Sequence, residues 1–249
     1  MPRVETAKKE DKQQLKLLWK DTFNEEPGFL EQFFDIRFDP QSILVIRYQE
    51  KIVSCLHALA STYEGKDCRY IVGASTLKSY RNRGMMGELL QQARRHYQVP
   101  LMLYPAENAR SFYLQNGFFN TSKFFCYRIA RQEDLKPPPQ APLSRSALDH
   151  LYHRNGSALD RDAIAWDFIQ DAAIVTVKNA YACTLGKIAV EAGYENSTAL
   201  HSLLQVLQAQ GIESIRLFRQ EPSLGSPYEI EEGGMCDQKG LSLIIGEQY

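Results

Sequence analysis

The chain has 249 residues, 44% of them hydrophobic and 24% charged, a composition that excludes wholesale disorder and fits one large domain or two modest ones. Lysine and arginine number 29 against 30 aspartates and glutamates, a formal net charge of -1, which argues against a general nucleic-acid binder.

The opening segment, MPRVETAKKEDKQQ, is polar and lacks an apolar signal core. Leu15, Leu18, Trp19 and Phe23 then recur at helical spacing within residues 11–36, Pro27-Gly28 interrupts the run, and Phe29, Phe33 and Phe34 belong to a second helical stretch. The period changes at Ser42–Tyr48 and Ile52–Leu59, which read as a hairpin around residues 49–51, and Tyr70–Leu77 adds a third strand to make a meander. Residues 84–97 form an amphipathic helix, with Met86, Leu89, Leu90, Ala93 and Tyr97 on one face and Glu88, Gln91, Arg94 and Arg95 on the other. Leu101–Tyr104 reads as a short buried strand, 107–114 as a short helix stopped by Asn116-Gly117, and Phe118–Ile129 as one extended aromatic run.

The polar, proline-rich stretch at 131–143 reads as a linker. Beyond it, 145–154 and 161–170 are expected to be helical, Ala173–Lys178 and Tyr181–Leu185 form a hairpin, and Ile188–Gly193, helix Ser197–Gln210, Ile212–Phe218 and Leu241–Ile245 follow. Helix, hairpin, strand, helix, strand repeats the order of the first half, a weak internal repeat of architecture. No uncharged apolar run reaches the roughly 18 residues that span a bilayer. Five scattered cysteines (Cys55, Cys68, Cys126, Cys183, Cys236) include no CxxC pair, so they read as reduced thiols of a cytoplasmic protein without a structural metal.

Residues 70–87, YIVGASTLKSYRNRGMMG, carry the chemistry. A strand enters a basic turn and leaves it as a helix. Gly84 and Gly87 let the backbone approach a ligand closely, the first amides of the helix lie at the positive end of its dipole, and Arg81 and Arg83 add charge. The arrangement suits a pyrophosphate, yet neither GxxxxGK[ST] nor GxGxxG is present. Taken alone, the turn is equally a plain helix start with solvated arginines.

Downstream, residues 100–118, PLMLYPAENARSFYLQNGF, place Asn108, Ser111, Phe112, Tyr113, Gly117 and Phe118 on a strand–helix–turn segment. Together the two stretches resemble the GNAT superfamily of N-acetyltransferases. The acyl-CoA loop of that family, Arg/Gln-x-x-Gly-x-Gly/Ala, is matched by Arg81, Asn82, Arg83, Gly84 and Met85, while Met86 stands where a small residue is usual and Gly87 follows it. Helices, meander and both motifs keep the family order across residues 1–130.

The resemblance implies an α/β (α+β) GNAT fold, a mixed, mostly antiparallel sheet flanked by helices, in a domain at 1–130. After the 131–143 linker, 144–249 is expected to be a smaller, degenerate GNAT-like lobe, because no Arg-x-x-Gly turn joins strand 188–193 to helix 197–210. It implies acetyl-CoA as co-substrate, its pantetheine arm against strand amides near Ala74, Ser75 and Thr76 and its pyrophosphate on residues 82–87, with Arg81, Asn108 and Ser111 among the binding residues. Tyr113 is the expected general acid for the departing thiolate. The acceptor is expected to be a primary amine of a small molecule or peptide; neither nucleic acid nor membrane is an expected partner. A non-catalytic acyl-CoA-binding sensor and a tRNA-dependent aminoacyl transferase are the rival readings.

The residue that deprotonates the amine is not singled out: Glu25, Glu26, Glu107 and His57 are candidates by region. His150 and His153 share a helix face without a third ligand, Cys126 reads as an inert buried thiol, and Glu229, Glu231 and Glu232 read as a solvated loop.

Overall fold

The computed structural model describes residues 3–23, 25, 27–130, 136–154, 156, 158–170 and 173–241. It divides into two compact units, Met1–Phe119 with Cys236–Lys239, and Asn120–Met235 with Gly240–Tyr249.

In the first unit, helical periodicity buries Leu15, Leu18 and Trp19 on α1 (Lys12–Phe23) and Leu30, Phe33 and Phe34 on α2 (Pro27–Arg37). A strand that sequence reading missed, β1 (Val4–Thr6), pairs antiparallel with β2 (Ile43–Tyr48), which continues into β3 (Lys51–Tyr63) and β4 (Lys66–Thr76) as the expected meander. Helix α3 (Met85–Tyr97) covers the sheet with Leu89, Leu90 and Ala93 and returns the chain to β5 (Leu101–Leu103), parallel to β4. Arg94, Arg95 and His96 sit in its last turn, where the helix dipole favours positive charge. A 3₁₀ turn at Glu107–Ala109 leads into α4 (Arg110–Gln115).

The extended run expected from Phe118 to Ile129 is in fact two strands. β6 (Phe119–Asn120) is the edge of the first sheet, whereas β7 (Lys123–Arg128) pairs in the second. Period-2 aromatics do not reveal such a break, because both pieces are half-buried strands.

After β7 the second unit continues with α5 (Arg145–His153), N-capped by the Ser144 hydroxyl, which accepts from Ala147 N at 3.2 Å, and α6 (Ala163–Gln170). β8 (Ala173–Val177), β9 (Ala180–Leu185) and β10 (Ile188–Tyr194) form an antiparallel meander, and α7 (Ser197–Ala209) leads to β11 (Ser214–Leu217), parallel to β10. This is the plan of β2–β3–β4–α3–β5 repeated. Glu229–Glu232, expected to be a polar loop, is strand β12 on the sheet edge; it pairs with β7, and charged side chains suit an exposed edge. β13 (Met235–Cys236) then returns the chain to the first sheet.

Among the described residues the sheet orders are β1-β2-β3-β4-β5-β13-β6 and β12-β7-β11-β10-β9-β8. The strand expected at 241–245 lies, from residue 242 onward, outside the described residues, as do residues 131–135 of the expected linker. The core of the second unit holds a bidentate ion pair: Arg161 donates to both carboxylate oxygens of Glu191, at 2.6 and 2.7 Å, and Tyr181 donates to the same carboxylate at 2.7 Å. A buried charge of this kind is tolerated only when paired and hydrogen-bonded. No helix among the described residues is long and apolar enough to cross a membrane.

Candidate active site

The site is built on the last third of β4. Cys55 pairs with Ser75 but His57 pairs with Val72, so β4 carries one extra residue and bulges at Gly73-Ala74. Gly73 has φ 56, and a Cβ there would fall 1.8 Å from the Trp19 ring. The indole of α1 therefore rests on bare backbone at the bulge. Its Nε1 donates to His57 Nε2 at 3.2 Å. That imidazole is fully buried beside Trp19, Phe33 and Phe34, and burial pushes its pKa down to about 3. The ring is neutral, and because Nε2 accepts, Nδ1 carries the proton; Nδ1 has no hydrogen-bond partner among the described residues.

Just before the bulge the two parallel strands part. Arg69, Tyr70 and Ile71 pair with Leu101, Met102 and Leu103, and there β5 ends while β4 runs on to Thr76. The β3 side stays bonded: Leu77 N donates to Val53 O at 2.9 Å. Peptide directions alternate along an extended strand, so the Thr76 amide faces the other, unpaired edge. Ser75 is fully buried, its hydroxyl 3.2 Å from Cys55 Sγ and its carbonyl accepting from Ser54 Oγ at 3.0 Å. The Thr76 hydroxyl lies 2.7 Å from Ser54 Oγ. Both side chains are used inside the sheet, which leaves backbone groups for a ligand.

After a 3₁₀ turn at Lys78–Tyr80 the loop turns through Asn82 and Gly84, at φ 61 and 76, into α3. The first helical bond is Glu88 N to Gly84 O, 3.0 Å, so the amides of Met85, Met86 and Gly87 have no acceptor within the helix. No side chain caps them. Gly84 faces open space, whereas a Cβ on Gly87 would lie 3.1 Å from Asn116 Oδ1. Gly84 thus leaves room for a ligand, and Gly87 lets the turn after α4 come close. The arginines, expected to add charge here, also hold the loop backbone. Arg81 Nε donates to Thr76 O at 3.0 Å, and Arg83 donates to Ser79 O at 2.9 Å while lying over the Tyr80 ring. Each braces the loop and leaves the rest of its guanidinium exposed.

Tyr113 is 8% exposed on α4, in edge contact with Phe112 and Phe118. Burial pushes its phenol up to about 12, so it keeps its proton at neutral pH. Its hydroxyl has no hydrogen-bond partner among the described residues. Asn108 and Ser111 are exposed, and among the described residues no hydrogen bond joins either to the 81–87 loop.

Of the acid–base candidates, burial raises the Glu25 carboxyl, His57 holds no proton-accepting nitrogen free, and Glu26 lies outside the described residues. Glu107 begins the 3₁₀ turn before α4. Among the described residues no group of His, Cys, Asp and Glu is arranged to hold a metal ion. Sequence reasoning missed the Trp19–Gly73–His57 contact. Its one visible signal was a glycine inside a strand, which marks a bulge or a close approach.

Residues 3–119 match the family model described as an acetyltransferase (GNAT) domain. No curated protein matches the chain. Among solved structures it is similar to a conserved protein of unknown function from Enterococcus faecalis V583, at 18% identity and TM-score 0.69, covering 95% of this chain and 72% of that one. A GCN5-related N-acetyltransferase from Anabaena variabilis is 15% identical with TM-score 0.70, again over 95% and 72%. Eis1 from Mycobacterium abscessus is 12% identical with TM-score 0.61, over 95% and 73%. At such identities the likeness is one of fold, and it extends through both units. Residues 3–119, which contain the motif-bearing β4–α3 loop, thus match a GNAT acetyltransferase domain.

Proposed function

We propose that this protein is an acyl-CoA-dependent N-acetyltransferase that moves an acetyl group from acetyl-CoA to a primary amine of a small molecule or peptide. The observation that carries the proposal is the continuity of an unpaired β4 edge with an uncapped helix start: an extended arm ending in a pyrophosphate needs these two features in series. Gly84 adds the free space that a phosphate on the Met85, Met86 and Gly87 amides requires.

Acetyl-CoA would supply the acetyl group already activated as a thioester. The protein's part is placement and proton management. The open β4 edge from Ala74 to Thr76 would align the pantetheine arm, and an amide at the bulge would polarise the thioester carbonyl. Tyr113 would donate from its hydroxyl to the departing sulfur. A phenol held at about 12 stays protonated until a thiolate develops, and a hydrogen bond assists departure without full proton transfer. His57 has no part in deprotonating the amine. Glu25, its carboxyl raised by burial, has the direction of shift that a base near neutral pH needs.

Calorimetric titration with acetyl-CoA and CoA tests the coenzyme half. Saturable binding of both, weakened when Gly84 is replaced by valine, supports it; no binding of either ligand refutes it.

A further inference from the structure

We propose that Asp237, near the other end of the chain from the motifs, is a positioning residue for acetyl transfer: through Arg94 it fixes the short helix that carries Tyr113. The inference rests on the reading of Tyr113 as the acid and deepens it.

Residues 236–239 belong to the first unit. Asp237 is 9% exposed there and uses both carboxylate oxygens. Oδ1 accepts from Leu101 N at 2.9 Å, and Oδ2 accepts from Arg94 Nε at 3.0 Å. Its own amide donates to Leu101 O at 3.1 Å. Arg94 carries the connection onward. Its other nitrogen donates to Asn116 O at 2.8 Å, and its guanidinium lies 5.0 Å over the Phe118 ring. Asn116 and Phe118 are the residues that hold Tyr113: both backbone amides donate to Tyr113 O at 3.0 Å, and the Phe118 ring meets the Tyr113 ring edge-on at 5.5 Å.

Helix α4 has six residues and no side-chain N-cap. A helix this short has little stability of its own, so its orientation comes from what grips it. One buried carboxylate therefore anchors two things, the turn that aims Tyr113 and the first residue of β5, the strand that parts from β4 at Leu103. Displacing a reacting group by about 1 Å can cost about 100-fold in rate, so the ion pair controls chemistry more than coenzyme binding.

The test is steady-state kinetics on the full chain for wild type, Asp237→Asn, Tyr113→Phe and the double variant, with thermal melts alongside. Asp237→Asn should lower kcat by about 10–100-fold and leave KM for acetyl-CoA within about twofold. In the Tyr113→Phe background it should cost nothing further, because the group it positions is gone. Equal losses in both backgrounds, or a loss that only follows the unfolded fraction, would overturn the positioning role. Should Asp237→Asn fail to fold, Arg94→Lys carries the same test: it keeps the charge facing Asp237 but cannot span to Asn116, and full kcat there would equally overturn the proposal. Unchanged turnover in Tyr113→Phe alone would instead overturn the reading of the acid, and the positioning role with it.

Discussion

Trp19 lies directly on Gly73: the indole of α1 occupies the place where any other residue of β4 would carry its Cβ, 1.8 Å from the ring. The bulge in β4 is thus pinned by one side chain, itself held by His57. Gly73→Ala combines a positive φ with overpacking, and the two together cost about 3 kcal/mol or more. Trp19→Phe keeps the ring contact but leaves His57 Nε2 buried without a donor, a loss of about 1–3 kcal/mol. Urea denaturation of the three proteins should rank them wild type, Trp19→Phe, Gly73→Ala in falling stability.

His57 gives the fold a pH dependence with a defined sign. Its imidazole titrates at about 3 in the folded protein and near 6.5 when unfolded. The unfolded state binds the extra proton first, so stability is complete above about 6.5 and falls as pH drops from there towards 3, by up to about 1.4 kcal/mol per unit. Denaturation midpoints across this window should fall less steeply in His57→Gln than in wild type. Equal slopes would contradict the buried neutral imidazole.

The two equivalent helix starts predict opposite results. α3 begins with no side-chain cap, whereas α7 begins with Asn196 Oδ1 accepting from Ala199 N at 2.9 Å. The second unit fills with its own side chain the position that the first leaves uncapped. Asn196→Ala should lower stability by about 1 kcal/mol with coenzyme affinity unchanged. Gly84→Val, placed in open space, should weaken acetyl-CoA binding by about 10-fold or more, one amide contact to a charged group being worth roughly 1.5–3 kcal/mol. Calorimetry and thermal melts on both variants separate the effects.

What could be read from the sequence depended on how local the signal was. α3 was legible because Leu89, Leu90 and Ala93 keep one helical face, and the meander because its strands are neighbours in sequence. The uncapped turn at 81–87 was legible from Gly84 and its basic flanks. β12 was missed because its residues, Glu229 to Glu232, carry charge suited to an exposed edge rather than to a buried strand. The split at residues 119–123 was hidden because an aromatic run has the same period in either sheet. Asp237 was beyond reach for a different reason: its partners, Arg94 and Leu101, lie more than a hundred residues away, and no local pattern encodes that pairing. The arginines illustrate a third limit. Their charge was visible, but their use as braces for Thr76 and Ser79 depends on loop conformation.

Thiol release from acetyl-CoA across a panel of primary amines, with wild type and Tyr113→Phe assayed side by side, decides whether this protein performs amine-dependent acetyl transfer with Tyr113 as the acid. Release should depend on one class of amine and fall by about 100-fold or more in the variant while acetyl-CoA affinity holds. Tight acetyl-CoA binding with no thiol release for any amine would contradict it and leave an acyl-CoA-binding protein without transferase chemistry.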